Sequence, residues 1–187
     1  MRSDLGTGSM PVGLQLETDR LILRPPRIED FEPWVEFAAD AETTRFLGGP
    51  QPRAVVWRNF LTLVGAWQIQ GFAMFSVIEK SSGRWMGRVG PWKPEGWPGT
   101  EVGWSLAREY WGRGYALEAA RASIDWSFDT LGWDEVIHSI APANQSSIAL
   151  AERLGSRYRG DGRLPEPYAD EAVGIWAQSR SDWRSKS

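Results

Sequence analysis

Along this chain the spacing of apolar positions switches between two residues and three to four, and the switches mark out its elements. Leu16 to Arg24 alternates, with Leu21 and Leu23 on one face and Ile22 on the other, which predicts a strand stopped by Pro25-Pro26. Phe31, Trp34, Val35 and Ala38 then recur three or four apart behind Asp30, a short amphipathic helix. Phe46 to Pro52 is turn chemistry, and Arg53 to Gln70 carries Val56, Phe60, Leu63, Val64 and Trp67 on one stripe, a second helix ended by Gly71.

Phe72 to Glu79 and Trp85 to Pro91 read as a hairpin around Ser81-Ser82-Gly83. Trp92 to Gly99 is too rich in Pro and Gly for a regular element and forms a loop. Thr100 to Leu106 is the next strand, where Gly103 suggests a bulge or a close backbone approach. A helix follows over Tyr115 to Leu131, with Leu117, Ala120, Ile124, Phe128 and Leu131 on one side. Glu135 to Ile140 comes after that crossover and should pair parallel to Thr100–Leu106. A helix from Asn144 to Leu154 and two late strands, Arg157–Arg159 and Ala172–Ser179, complete the order. Antiparallel strands followed by one parallel crossover give an α/β fold around a mixed sheet.

Between the strand at 100–106 and the helix at 115, Gly112 and Gly114 form a turn with no Cβ in the way. Backbone N–H groups there converge in front of a positive helix end, an arrangement suited to phosphate or pyrophosphate. Composition narrows the field further. With 187 residues, 42% of them hydrophobic and 24% charged, one globular domain is expected over residues 13–180. Residues 1–12 read as a disordered tail or as added, non-native residues ending near Met10, and 181–187 as a polar tail. The net charge of −3, with no basic block, argues against nucleic acid. No cysteine and a single histidine argue against thiolate chemistry and metal, and no apolar run suits a membrane span or a signal peptide. A cytoplasmic location is expected.

Glu101-Val-Gly-Trp-Ser-Leu106, Trp111-Gly-Arg-Gly-Tyr-Ala116, Asn144-x-x-Ser147 and Glu152-Arg-Leu-Gly155, in that order, resemble the GNAT N-acetyltransferase superfamily. Glu17-Thr-x-Arg20-Leu-x-Leu-Arg24-Pro25 with Asp30 is similar to the opening of its branch of ribosomal-protein N-terminal acetyltransferases. The resemblance covers about Leu16 to Trp176 and implies the GNAT acyl-CoA N-acyltransferase fold, a mostly antiparallel sheet with a splayed parallel strand pair holding CoA. It implies acetyl-CoA and an amine acceptor as partners and no metal. The pyrophosphate would meet the amides of Trp111, Gly112, Arg113, Gly114, Tyr115 and Ala116. The pantetheine arm would run along Trp104, Ser105 and Leu106 like an added strand, with Asn144 on the far side. A homodimer is compatible with this reading. The chain departs from the family at Trp111 (often Gln or Arg), Ser156 (often aromatic) and Ala151, where many members carry the tyrosine that protonates the leaving thiolate.

Without cysteine, direct attack of the amine on the thioester is the expected route. Glu101 is the candidate base and Ser147 the candidate hydrogen-bond donor to the departing sulfur; the competing readings are a solvated strand-end carboxylate and a serine bonded within its helix. An α-amine, with a pKa of about 8 against about 10.4 for lysine, needs only a weak base. His138 reads as a satisfied core histidine, Arg20 and Arg24 as structural, and Glu118 with Arg121 as a surface pair. Trp57, Trp67, Trp92 and Trp97 divide between core and acceptor wall, and the loops at 46–52 and 92–99 are expected to set acceptor specificity. The expected acceptor is a protein or peptide N-terminal α-amine. The alternatives are a small-molecule amine, such as an antibiotic or metabolite, and a non-catalytic acyl-CoA binder. A dinucleotide oxidoreductase is disfavoured because Leu117 breaks the G-x-G-x-x-G spacing.

Overall fold

The computed structural model describes residues 13–185, and the expected tail at 1–12 lies outside them. Its strands are β1 (Leu16–Glu17), β2 (Leu21–Arg24), β3 (Phe75–Glu79), β4 (Trp85–Trp92), β5 (Glu101–Leu106), β6 (Glu135–Ile140), β7 (Arg157–Gly162) and β8 (Val173–Ser179). The helices are α1 (Phe31–Ala39), α2 (Arg53–Gln70), α3 (Tyr115–Asp129), α4 (Gln145–Arg153) and α5 (Arg180–Arg184). One mixed sheet runs β1-β2-β3-β4-β5-β6-β8-β7, with β5–β6 as its parallel pair. This is the α/β mixed sheet that the hydrophobic pattern predicts.

Strand alternation sorts the sheet into two faces. Glu101, Gly103 and Ser105 share one face with Trp92, Gly90 and Arg88 opposite them on β4, and with Ile137 on β6. α1 covers part of this face: Trp34 stacks on Trp85 at 6.4 Å, and Phe37 meets Trp85 edge-on at 5.7 Å. Val102, Trp104 and Leu106 look the other way. There α3 packs through Trp126 against Phe75 at 5.2 Å, and Ala151 of α4 clusters with Ile140 and Trp176. α2 brings Trp67, fully buried, against Phe75 and Trp126.

Three sequence expectations change. The first strand is two, β1 and β2, because the chain reverses at Thr18–Arg20; Thr18 Oγ1 accepts from the Leu21 amide at 3.0 Å. β5 pairs with β4 in unbroken register, so Gly103 is no bulge; the irregularity falls between Val77 and Ile78. Gly103 instead yields to side chains, since a Cβ there would lie 2.5 Å from Met74 Cε and 3.4 Å from Glu101 Oε1. The expected polar tail begins as α5, which buries Trp183 and donates its Nε1–H to Asp125 at 2.7 Å.

Candidate active site

The parallel pair does not stay parallel. β5 and β6 share one register pair, Glu101 with Ile137, closed by the Ile137 amide on the Thr100 carbonyl at 2.9 Å. One step further the two backbones no longer bond to each other. His138 of β6 reaches across instead, its Nδ1 2.7 Å from the Val102 carbonyl oxygen. A carbonyl only accepts, so Nδ1 carries the proton and Nε2 accepts from Ser156 Oγ at 3.0 Å. Burial pushes the His138 pKa down to about 4, with the Val102 hydrogen bond opposing that shift, so the ring is neutral near pH 7. The expected core histidine is a wedge.

Beyond the wedge lies a cleft of about 410 Å³, walled by Trp104, Ser105 and Leu106 on one side and by Asn144, Ser146, Ser147, Leu150 and Arg153 on the other. Its far end is the glycine turn, with Trp111, Gly112, Gly114, Tyr115 and Ala116 in the lining. Gly112 (φ 71°) and Gly114 (φ 80°) are both left-handed, where a residue with a Cβ costs about 1–2 kcal/mol. Gly114 begins α3. The Glu118 amide bonds back to the Gly114 carbonyl at 3.1 Å, which leaves the amides of Tyr115, Ala116 and Leu117 in the unpaired first turn. That gives the anion site of a helix N-terminus.

The turn is fastened from behind. Arg20 donates Nη1–H to the Arg113 carbonyl at 3.0 Å, lies 4.2 Å over the Tyr115 ring and pairs with Glu118 at 2.7 Å. Glu118 also accepts from Thr18 Oγ1 and from the Arg20 amide, and Tyr115 donates its hydroxyl to Glu79 at 2.7 Å. Glu118 is therefore a brace between the loop and the first strand pair, where the sequence suggested a surface pair with Arg121. Arg113 is exposed and its side chain lies outside the cleft lining.

Asn144 caps α4, its side chain accepting from the Ser147 amide at 3.2 Å, so its own NH₂ faces away from the cap. Ser147 Oγ accepts the Trp104 Nε1–H at 3.2 Å across the cleft, which leaves the serine proton for another acceptor. Ala151, one turn on, is fully buried against Ile140 and Trp176, so the site of the missing tyrosine faces the core.

Glu101 is outside this cleft, on the opposite face at the closed end of the wedge. It is 8% exposed, and its Oε2 accepts the Trp97 Nε1–H at 2.6 Å. Burial pushes its carboxyl up to about 7, against the pull of Trp97 and Ser139. The Trp97 loop and the β7–β8 connection meet over it, where a Cβ on Gly96 would touch Pro165 at 3.3 Å. The two candidate groups thus approach the splay from opposite faces. Sequence reasoning missed Ser146, Leu150 and Arg153 in the lining, and Phe46 and Leu47, from the loop expected to set acceptor specificity, line this cleft as well. The three α4 residues repeat the Ser147 face at helical spacing, a signal that was there to read.

A second cleft of about 460 Å³ lies between α1 and the end of β5. Most of its charges pair within it, Arg24 with Asp30, Arg84 with Glu109 and Arg108 with Asp40. It holds none of the splay residues. Among the described residues no cluster of His, Asp or Glu suits a metal ion, and no helix is long and apolar enough to cross a membrane.

The acetyltransferase (GNAT) domain family matches residues 20–157. The chain belongs to the GNAT family. Its fold is the GNAT fold, and the family makes it an acetyl-CoA-dependent acetyltransferase. The uncharacterized N-acetyltransferase p20 of Bacillus licheniformis is 29% identical over 148 residues, 78% of this chain and 83% of that protein. The match to YkkB of Bacillus subtilis, 36% identical, spans 47% of this chain and about half, 52%, of that protein. An acetyltransferase structure from Agrobacterium tumefaciens str. C58 superposes with a TM-score of 0.79 at 30% identity, covering 96% of this chain and 100% of that one. An aminoglycoside acetyltransferase solved with coenzyme A shares the fold, with a TM-score of 0.72 at 19% identity over 89% of this chain and 99% of that one.

Proposed function

We propose that this GNAT domain moves the acetyl group of acetyl-CoA directly onto an α-amine, with Glu101 as base and Ser147 as hydrogen-bond donor to the leaving sulfur. The observation that carries this reading is the wedge itself, closed at Glu101 and open toward Ser147, with the glycine turn at its far end. The pyrophosphate takes the amides of residues 111–116, and the pantetheine arm takes the unpaired edge of β5 at Trp104, Ser105 and Leu106, with Asn144 opposite.

A carboxylate with a pKa of about 7 is matched to an α-amine of about 8 and poorly matched to a lysine of about 10.4. Glu101 removes the proton from the incoming ammonium. The amine forms a C–N bond to the thioester carbonyl, the C–S bond breaks, and the electron pair leaves on sulfur. A thiol has a pKa of about 8.5, so a hydrogen bond from Ser147 suffices to stabilise the thiolate; the second proton leaves the nitrogen as the C–S bond breaks and reaches the sulfur through solvent, while Glu101 releases the first to bulk water. Products are the N-acetylated amine and CoA.

The roof that Trp97 and Pro165 make over Glu101 favours an acceptor that inserts only its amine end, such as the first residue of a protein or peptide, or a small amino compound. Ribosomal-protein acceptors and a cytoplasmic setting accord with the family resemblance. A thiol-release assay with acetyl-CoA over N-terminal peptides and small amines tests the reading. Turnover of α-amines in preference to lysine side chains supports it. CoA binding with no turnover of any amine would make the chain an acyl-CoA binder.

A further inference from the structure

Two arginines of this protein are withdrawn from solvent on the α1 side of the sheet, and they are treated differently. Arg24 is neutralised end-on by Asp30, with Nη1 and Nη2 at 2.7 and 2.8 Å from the two carboxylate oxygens. Arg88, half-buried on β4, has no carboxylate within ion-pair distance among the described residues. Its Nε–H donates to Ser105 Oγ at 3.2 Å and its guanidinium lies 4.7 Å over the Trp34 ring. Those contacts occupy one N–H and one flat face and, among the described residues, leave the Nη1/Nη2 end of the fork without a protein acceptor. Burial pushes its pKa down to about 10, the mark of a cation that the protein leaves uncompensated, with the Tyr168 phenol of the β7–β8 connection within electrostatic reach. An arginine this withdrawn is costly unless something pairs with it.

The surroundings say what that partner is. Arg88 stands opposite Ser105, on the face that carries Glu101. Between the two pairs lie Gly103 and its register partner Gly90, neither with a side chain. The Glu101 carboxylate folds along β5 toward Gly103, and the other side chain crowding that spot is Met74, whose terminal methyl can swing aside. From Gly103 to Ser105 is two residues on one face, about 7 Å. A base sits at one end of this strip and a forked cation at the other.

We infer that the acceptor carries a carboxylate a few bonds from its amine and that Arg88 holds it end-on through Nη1 and Nη2. This rests on the transferase reading above. The acceptor lies along β5 in place of the Met74 methyl, its amine at Glu101 and its carboxylate at Arg88. Arginine suits this because its planar fork matches both carboxylate oxygens, and a carboxamide at the same spot would leave the cation unpaired. The carboxylate comes either from a free amino acid or from an acidic first residue of a peptide; the chemistry at Arg88 is the same.

The test compares matched acceptors in the thiol-release assay: free amino acids against their amides, and dipeptide amides beginning with Asp or Glu against those beginning with Asn or Gln. The expected result is a preference of about tenfold or more in kcat/KM for the carboxylate member of one set, and that set identifies the source. Arg88→Met, which keeps the stem over Trp34, should collapse the ratio to about one, and Arg88→Lys should keep part of it. A ratio near one in the unmodified protein, or one that survives Arg88→Met, overturns the inference while leaving the transferase intact. If no amine turns over, the transferase reading fails on its own. Calorimetric binding of an N-acetyl amino acid and of its amide then decides, and the absence of an Arg88-dependent preference overturns the inference. Circular dichroism of both variants separates misfolding from lost recognition.

Discussion

His138 and Val102 occupy neighbouring strands that should be joined backbone to backbone, yet the 2.7 Å bond between them runs from an imidazole Nδ1–H to a carbonyl. The ring stands where a ladder bond would be. It holds the strands apart by its own width and still satisfies the carbonyl. Ser156 supplies the donor for Nε2. His138 is therefore a positioning residue for the splay.

The histidine predicts an acid limb in stability. Its folded pKa, about 4, lies below its ordinary 6.5, so its contribution is present above 6.5 and is lost as pH falls toward 4. The loss is at most about 3 kcal/mol. His138→Asn should lower the melting temperature at pH 7, flatten its fall between pH 6.5 and 4, and weaken CoA binding as the strands relax. Thermal melts across that range check it, and an undiminished acid slope would remove His138 as its source.

Glu101 works in the opposite sense. Its folded pKa, about 7, is raised above the ordinary 4.5, so its contribution to stability is complete below 4.5 and is lost as pH rises through 7. Glu101→Gln should stabilise the protein at pH 8, by up to about 3 kcal/mol, and leave it little changed at pH 4. The same change should cost about 10²–10³-fold in kcat/KM and abolish its rise near pH 7. A variant less active but no more stable at pH 8 would contradict the burial argument; one with an unaltered pH profile would remove Glu101 as base.

Gly112 and Gly114 have open space where a Cβ would go, Gly114 meeting only Arg20 Nη2 at 3.6 Å. Substitution is therefore opposed by backbone conformation, with φ of 71° and 80°, more than by collision. Gly114→Val should cost about 1–2 kcal/mol of stability, leave the protein folded, and weaken CoA binding by two orders of magnitude or more as the amides turn away. Calorimetry with CoA measures this. Unchanged affinity would sink the pyrophosphate assignment.

Ser147→Ala removes the proton proposed for the leaving sulfur and the acceptor of the Trp104 indole. We expect kcat to fall about tenfold with CoA affinity within about threefold of the parent, since one hydrogen bond of about 1 kcal/mol is at stake. Pre-steady-state thiol release reads the chemical step. An equal loss in affinity and rate would make Ser147 a binding contact only.

Local chemistry was legible in the sequence. The stripe of α2, bounded by Pro52 and Gly71, and the apolar run of β6 are placed as the pattern predicts, and the glycine turn sits at the head of α3. What stayed hidden depends on partners far along the chain. Nothing near Glu118 announces Thr18 and Arg20, about a hundred residues away, so an i,i+3 neighbour looked like its mate. The reversal at Thr18–Arg20 has no Gly or Pro to mark it, and it is held by the Thr18 hydroxyl and by the Lys80 amide on the Arg20 carbonyl. Arg88 reads as an ordinary outward residue of a hairpin until Trp34 is seen lying across it. The wedge is visible only once strand register is known.

The single register pair at Glu101 and Ile137 makes the protein two half-sheets sewn at one stitch. Past that stitch the half-buried edge of β5 lines the cleft, with α4 facing it. With the pantetheine arm placed as proposed, the seam would gain a filament bonded to the β5 side and held by α4 on the other. Cohesion between the halves is then borrowed from a metabolite. At a hundred times its dissociation constant CoA would add about 2.7 kcal/mol to the unfolding free energy. The stability of the protein would accordingly follow the supply of the coenzyme and its acetyl thioester.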